Sequence, residues 1–203
     1  MQSKLIQELY KRTKSLVAAT FPDAVLLKPD GTGWRIWELS HGGNLKMFLM
    51  LAPSPKDDSF ALEIAWTIHG SLPEYNGLNP DEDPGKGEMY FRLSQFWHPY
   101  GLEHRWYLGS ARGTEEMKSM AIQIPSGFEA LSNSPGSPHN KDYLDKLKKL
   151  GLDVPAPTIE SLEVKLESVG PQVEDAFAKL QQYGVPYLKQ IAARYGTELK
   201  TKP

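Results

Sequence analysis

The residue types that could form a catalytic centre are few and widely spaced. Asp153 is followed ten residues later by Glu163-Val164-Lys165. In metal-dependent nucleases an acid and a Glu-x-Lys run hold magnesium between two carboxylates, while the lysine steadies charge on the attacked phosphate. That chemistry needs Glu163 and Lys165 on one face of a strand, because two positions along a helix turns them about 200° apart. Leu162, Val164 and Leu166 fit a strand here, whereas Ile159, Leu162, Leu166 and Val169 fit a helix, the preferred assignment.

Two further sets carry metal-ligating chemistry. His98 and His104 flank Pro99-Tyr100-Gly101-Leu102-Glu103. Zinc ligands on a helix must lie about one turn apart, and Pro99 and Gly101 forbid that helix, which leaves ligation through a turn with His41 or His69 as a third ligand. In the loop over residues 70–87, Asn79, Asp81 and Asp83 alternate as calcium-loop oxygen ligands do. Glycine then arrives one place late at Gly85, no glutamate closes the loop, and Pro80 and Pro84 break its geometry. Asp81, Asp83, His98 and His104 are thus metal candidates without a complete ligand set. No cofactor is expected: Gly31-Thr32-Gly33 and Gly85-Lys86-Gly87 lack the third glycine and following helix of a dinucleotide site. The sequence contains no Gly-x-Ser-x-Gly, so His41-Gly42-Gly43 reads as a turn rather than an oxyanion loop.

The densest functional set is aromatic and basic: Trp97, His98, Tyr100, His104, Arg105, Trp106 and Tyr107. Arg, Trp and Tyr dominate interface hot spots because they desolvate a large area while keeping a polar handle. Strand alternation must bury one side of this run, so the contact surface is assigned to His98, Tyr100, His104, Arg105 and Tyr107. The acidic loop is a second contact. The function expected is a non-catalytic cytoplasmic protein-binding module, such as an inhibitor, immunity-type or adaptor protein. The alternative is a metal-dependent hydrolase or nuclease.

Composition narrows the partners. With 23 Lys and Arg against 25 Asp and Glu, the formal charge of -2 gives no footprint for nucleic acid. Charge is uneven: between Glu74 and Glu88 five carboxylates face only Lys86, a local charge of -4. No apolar run approaches the ~20 residues of a membrane helix. Cysteine is absent, which removes disulfides, thiolate zinc sites and a cysteine nucleophile, and suits a reducing compartment. The basic start (Lys4, Lys11, Arg12, Lys14) has the charge of an organelle transit peptide, but Glu8 and a clean apolar stripe favour a structural helix.

The elements that must position these residues follow from periodicity. Ser3 can cap a helix with Leu5, Ile6, Leu9, Tyr10, Leu16 and Val17 on one face, ended by Pro22. Strands are predicted over residues 24–28, 34–40 and 45–51, with a hairpin at His41-Gly42-Gly43-Asn44. Phe60, Leu62, Ile64, Trp66 and Ile68 alternate strictly, and the small second face at Ala61 and Ala65 suits a covering helix. Residues 88–97 and 104–108 are further strands. All five tryptophans fall between Trp34 and Trp106. A short helix is predicted over 114–120, an edge strand over 121–124, a linker over 132–138, and a helix from Asn140 to Gly151. Pro171 and Pro186 start two final helices, stopped by Gly184 and Gly196. Helix, strands, then helices argue an α+β fold, an antiparallel meander sheet of five or six strands packed by an N-terminal helix and C-terminal helices. The divisions are 1–131, the linker 132–138, and C-terminal helices 139–203, packed on the same domain or forming a semi-separate bundle.

Overall fold

A computed structural model of the chain describes residues 3–27, 33–40, 43–55, 58–75, 79–81, 85–97, 105–109 and 161–202. Their order is α1 (Ser3–Thr20), β1 (Val25–Leu26), β2 (Arg35–Glu38), β3 (Lys46–Ser54), β4 (Ser59–Thr67) and β5 (Glu88–Arg92). A 3-10 turn (Leu93–Phe96), β6 (Trp106–Tyr107), α2 (Leu162–Lys179), a π-helical turn (Leu180–Gly184) and α3 (Val185–Arg194) follow. The sheet runs β1-β2-β3-β4-β5 with every neighbouring pair antiparallel, and β6 pairs with the start of β4. The chain is α+β, as its segregated periodicities require. No helix among the described residues is long and apolar enough to cross a membrane.

Alternation divides the sheet into two faces with different chemistry. Trp37, Leu49, Leu51, Phe60, Leu62, Ile64, Trp66 and Phe91 share one core with Leu5, Leu9 and Val17 of α1. Val173 and Phe177 of α2 and Leu188 and Ile191 of α3 complete that core. Each such side chain contributes roughly 1.5–3 kcal/mol on burial. The buried stripe of α1 is Leu5, Leu9, Thr13 and Val17 at intervals of four. Ile6 and Leu16, predicted for this face, are only half-buried.

The alanine side of β4 is not where the helices lie, contrary to expectation. Register sets Ala65 between Phe48 and Tyr90, so its small side chain makes room for two rings on the sheet's second face. Ile36 and Met50 extend that smaller cluster, and Leu27, Trp34 and Leu72 pack beside it. The helices instead cover the large side chains, whose apolar area demands it. Every residue of β4 is consequently buried, including Glu63 and Thr67.

Several boundaries differ from the sequence expectation for identifiable reasons. The strand expected over 88–97 stops at Arg92, where the Gln95 Oε1 accepts the Arg92 N–H at 2.8 Å and turns the chain into the 3-10 segment. Residues 162–169 are helical: Ser161 Oγ accepts the Val164 N–H at 3.4 Å and caps α2. Pro171 lies inside α2 rather than starting a helix. The preceding Gly170 has no Cβ to meet the proline ring, which relieves the restriction that would otherwise break the helix there. Gly184 does not stop the helix either, because its role is close approach. A Cβ there would lie 2.8 Å from Ile64 Cδ1 and 2.7 Å from Leu180 Cδ1. A π-helical turn, closed by the Val185 N–H on the Leu180 carbonyl, immediately precedes Pro186, which has no N–H to donate. The elements predicted over 114–120 and 121–124, the linker 132–138 and the helix from Asn140 lie outside the described residues.

Candidate functional site

The second face carries a cleft of about 460 Å³ lined by Trp34, Ala52, Pro53, Ser54, Pro55, Glu63, Tyr75, Tyr90, Arg92 and Arg105. Strand parity brings these residues together. Glu63 on β4 is the register partner of Met50 on β3 and Arg92 on β5, and Tyr90 lies two residues before Arg92 on the same face. Arg105 and Tyr107 have the parity of Ser59, the register partner of Tyr107. Trp34 precedes β2, and Tyr75 comes from the loop that follows β4.

Glu63 forms the floor and is only 3% exposed. Its Oε2 accepts the Tyr90 hydroxyl at 2.5 Å, and its Oε1 accepts the Arg92 Nε–H at 3.3 Å. The half-exposed Tyr75 ring meets Tyr90 edge-on at 5.1 Å and lies 5.8 Å beneath the Arg92 guanidinium. Arg105 donates from Nε to Ser59 Oγ and from Nη2 to the Ala52 carbonyl, each at 3.0 Å. Burial, and then the Glu63 carboxylate beside it, push the Tyr90 phenol far above its ordinary range. Tyr90 is therefore protonated, and a donor to Glu63, at neutral pH. Two planar cations held by buried acceptors, with aromatic walls, suit recognition by hydrogen bonding and stacking.

The predicted contact residues divide across the sheet. Arg105 enters the cleft, and Tyr107 is half-buried on the same face. Trp106 points the other way, stacks on Phe60 at 5.5 Å and donates its Nε1–H to Asp175 Oδ2 at 2.8 Å. Trp97 packs against Trp106 and Tyr183 beneath α2, with the Lys179 ammonium 5.9 Å from its ring centroid. His98, Tyr100 and His104 lie outside the described residues.

The nuclease-like set does not assemble among the described residues. Glu163 is exposed in the first turn of α2, where its own backbone N–H and Ser161 hold its carboxyl below the usual range. Lys165, two positions on, instead ion-pairs with Asp58 at 2.6 Å. The helix thus removes the shared face on which that chemistry depends, and Asp153 lies outside the described residues. Asp81 sits in an exposed turn, His69 Nε2 lies 2.6 Å from the Lys86 carbonyl, and Asp83, His98, His104 and His41 are outside the described residues. Among the described residues no three His, Asp or Glu side chains are placed to hold a metal ion.

Sequence reasoning missed Glu63, Arg92, Tyr75, Tyr90 and Trp34 as one site. A signal existed: a carboxylate in the middle of the most regular strand. Its meaning needed the β4–β5 register, which sequence does not supply. No protein-family model matches the chain, and no curated protein or solved structure does either.

Proposed function

We propose that the chain is a non-catalytic protein-binding module of the inhibitor, immunity-type or adaptor kind, acting in the cytoplasm, and that the second-face cleft receives its partner. The observation that carries this reading is the convergence of Arg92, Arg105, Trp34 and Tyr75 around one cleft. These are the residue types that dominate binding energy at protein interfaces. The overall charge of -2 favours a protein over nucleic acid. The divergence of Glu163 and Lys165 on α2 weighs against the hydrolase alternative.

The test begins with cross-linking in cells to identify a partner, followed by calorimetry between the purified proteins. Arg105→Lys keeps the charge but loses the guanidinium fork, and Tyr75→Ala removes a ring that is 50% exposed. Each is expected to weaken the complex about tenfold or more in a protein that remains folded. An unchanged Kd in both variants would reject the cleft as the contact.

A further inference from the structure

We propose that a second copy of this chain pairs with the open edge of β1, joining two sheets into one antiparallel sheet across a two-fold axis. This surface is separate from the cleft and shares no residue with it. β1 is a border strand, and among the described residues it pairs with β2 alone. Val25 lies opposite Glu38 and Leu26 opposite Trp37, and the next position, Leu27, donates its N–H to the Ile36 carbonyl at 2.8 Å. Antiparallel partners exchange hydrogen bonds at alternate positions, so Val25 and Leu27 direct their backbone groups at β2. The N–H and C=O of Leu26 therefore point away from the sheet, with no hydrogen-bond partner among the described residues.

The side chains of this edge are as bare as its backbone. Val25 is 48% exposed on the face that carries Glu38 and Phe48, and Leu26 is 42% exposed on the helix-covered face with Trp37 and Leu49. The opposite border differs: Met89, Tyr90 and Phe91 of β5 are buried, and Glu88 and Arg92 bracket them. Charged residues on an edge strand are a common defence against pairing with another sheet, and Ala24-Val25-Leu26-Leu27 has none. Asp23, just before this stretch, pairs with Lys200 at 3.0 Å. Two copies thus meet along it without opposing like charges.

Parity fixes the register. Ala24 shares the parity of Leu26, but its N–H already bonds the Phe21 carbonyl. A two-fold axis at Leu26 instead matches open donor to open acceptor, each Leu26 N–H meeting the Leu26 carbonyl of the second copy. Val25 then faces Leu27 of the second copy on one side of the sheet, and the two Leu26 side chains are neighbours on the other. Every exposed aliphatic side chain of the edge gains an apolar partner. A ladder this short covers less than the ~800 Å² per partner of a stable interface, so the dimer is weak.

Sedimentation equilibrium of the full chain from micromolar to millimolar concentration, with amide hydrogen exchange on the same samples, tests this. The average mass should rise towards that of a dimer, and Leu26 exchange should slow in proportion to the remaining monomer fraction. The Leu27 N–H, bonded within each copy, should exchange at a rate independent of concentration. Leu26→Lys and Leu26→Glu each set like charges across the axis, and each alone should stay monomeric. Mixing the two in equal amounts should restore the dimer, because lysine then faces glutamate. Should either variant fail to fold, Leu26 exchange in the parent decides alone. A parent that stays monomeric at millimolar concentration, or Leu26 exchange indifferent to concentration, would overturn the proposal. Folded charge variants that dimerise alone, or that do not pair when mixed, would overturn it equally.

Discussion

Replacing Tyr90 by phenylalanine isolates one interaction at the floor of the cleft. The ring would keep its edge contact with Tyr75 at 5.1 Å, while the hydroxyl that donates to Glu63 Oε2 at 2.5 Å would be lost. A hydrogen bond to a charged group is worth about 1.5–3 kcal/mol, and losing it leaves the oxygen of a carboxylate that is 3% exposed without that donor. Water in the cleft can reach Glu63 in part, which sets the expected cost at the lower end, about 1.5 kcal/mol. Urea unfolding at neutral pH would measure it as a lower midpoint with an unchanged slope. Glu63→Gln and the double variant complete a cycle, with an expected coupling of about 1 kcal/mol or more. The burial and adjacent carboxylate that keep this phenol protonated add a spectroscopic check. Below alkaline unfolding, Tyr90→Phe and the parent should show the same tyrosinate absorbance. A cost under about 0.5 kcal/mol, no coupling, or one fewer titrating tyrosine in the variant would refute the reasoning.

Thr13 is fully buried in the α1 stripe, and its Oγ1 has no hydrogen-bond partner among the described residues. Thr13→Val should therefore raise stability by about 1 kcal/mol, read as a higher melting temperature, and a destabilised variant would contradict it. Trp66 is 1% exposed and donates its Nε1–H at 2.8 Å to the Tyr187 hydroxyl, whose own proton burial holds up to about 12. Tyr187→Phe should cost about 1–3 kcal/mol by urea unfolding, and a neutral result would show that the indole finds another acceptor. Burial alone would raise the Asp58 carboxyl, but the positive charges beside it, that of Lys165 first, together hold it below its usual value. A depressed folded value means the pair stabilises above the unfolded carboxyl pKa, roughly 4, and that this is lost as pH falls through the folded one. Lys165→Met should thus be about 0.5–1 kcal/mol less stable than the parent near neutral pH and equal to it in strong acid. A difference that persists in acid would point to packing instead.

The parts of the fold that were legible are those fixed by local period. Phe60 to Trp66 alternate so strictly that β4 follows from its own side chains, and Gly43, with a φ of 70°, supplies the turn that the β2–β3 hairpin needs. Pro171 and Gly184 misled because their usual meaning was cancelled by neighbours: Gly170 before the proline, and Ile64 and Leu180 around the glycine. Thr13 interrupts the apolar stripe of α1 without leaving it. Alternation also separates Arg105 from Trp106, and the structure sends one to the cleft and the other to the core. The union of Glu63 with Arg92 was illegible because it depends on how residues 70–87 return the chain to β4. Sequence period carries no information about that register.

The Glu63 network is the one charged cluster at the centre of the sheet among the described residues. A carboxylate in mid-strand pays a desolvation penalty against which Tyr90 and Arg92 donate, and apolar residues of similar volume commonly serve a core at least as well. Ala65, one pleat along the same face, shows the apolar solution in place between Phe48 and Tyr90. What the charged solution adds is position. It fixes the Arg92 guanidinium over Tyr75 at the cleft, on the same wall as Arg105. A strand buried on both faces is rigid, and a site built on such a strand keeps its donors in place without help from a loop. The cleft therefore sets side-chain types common in recognition on a strand buried on both faces.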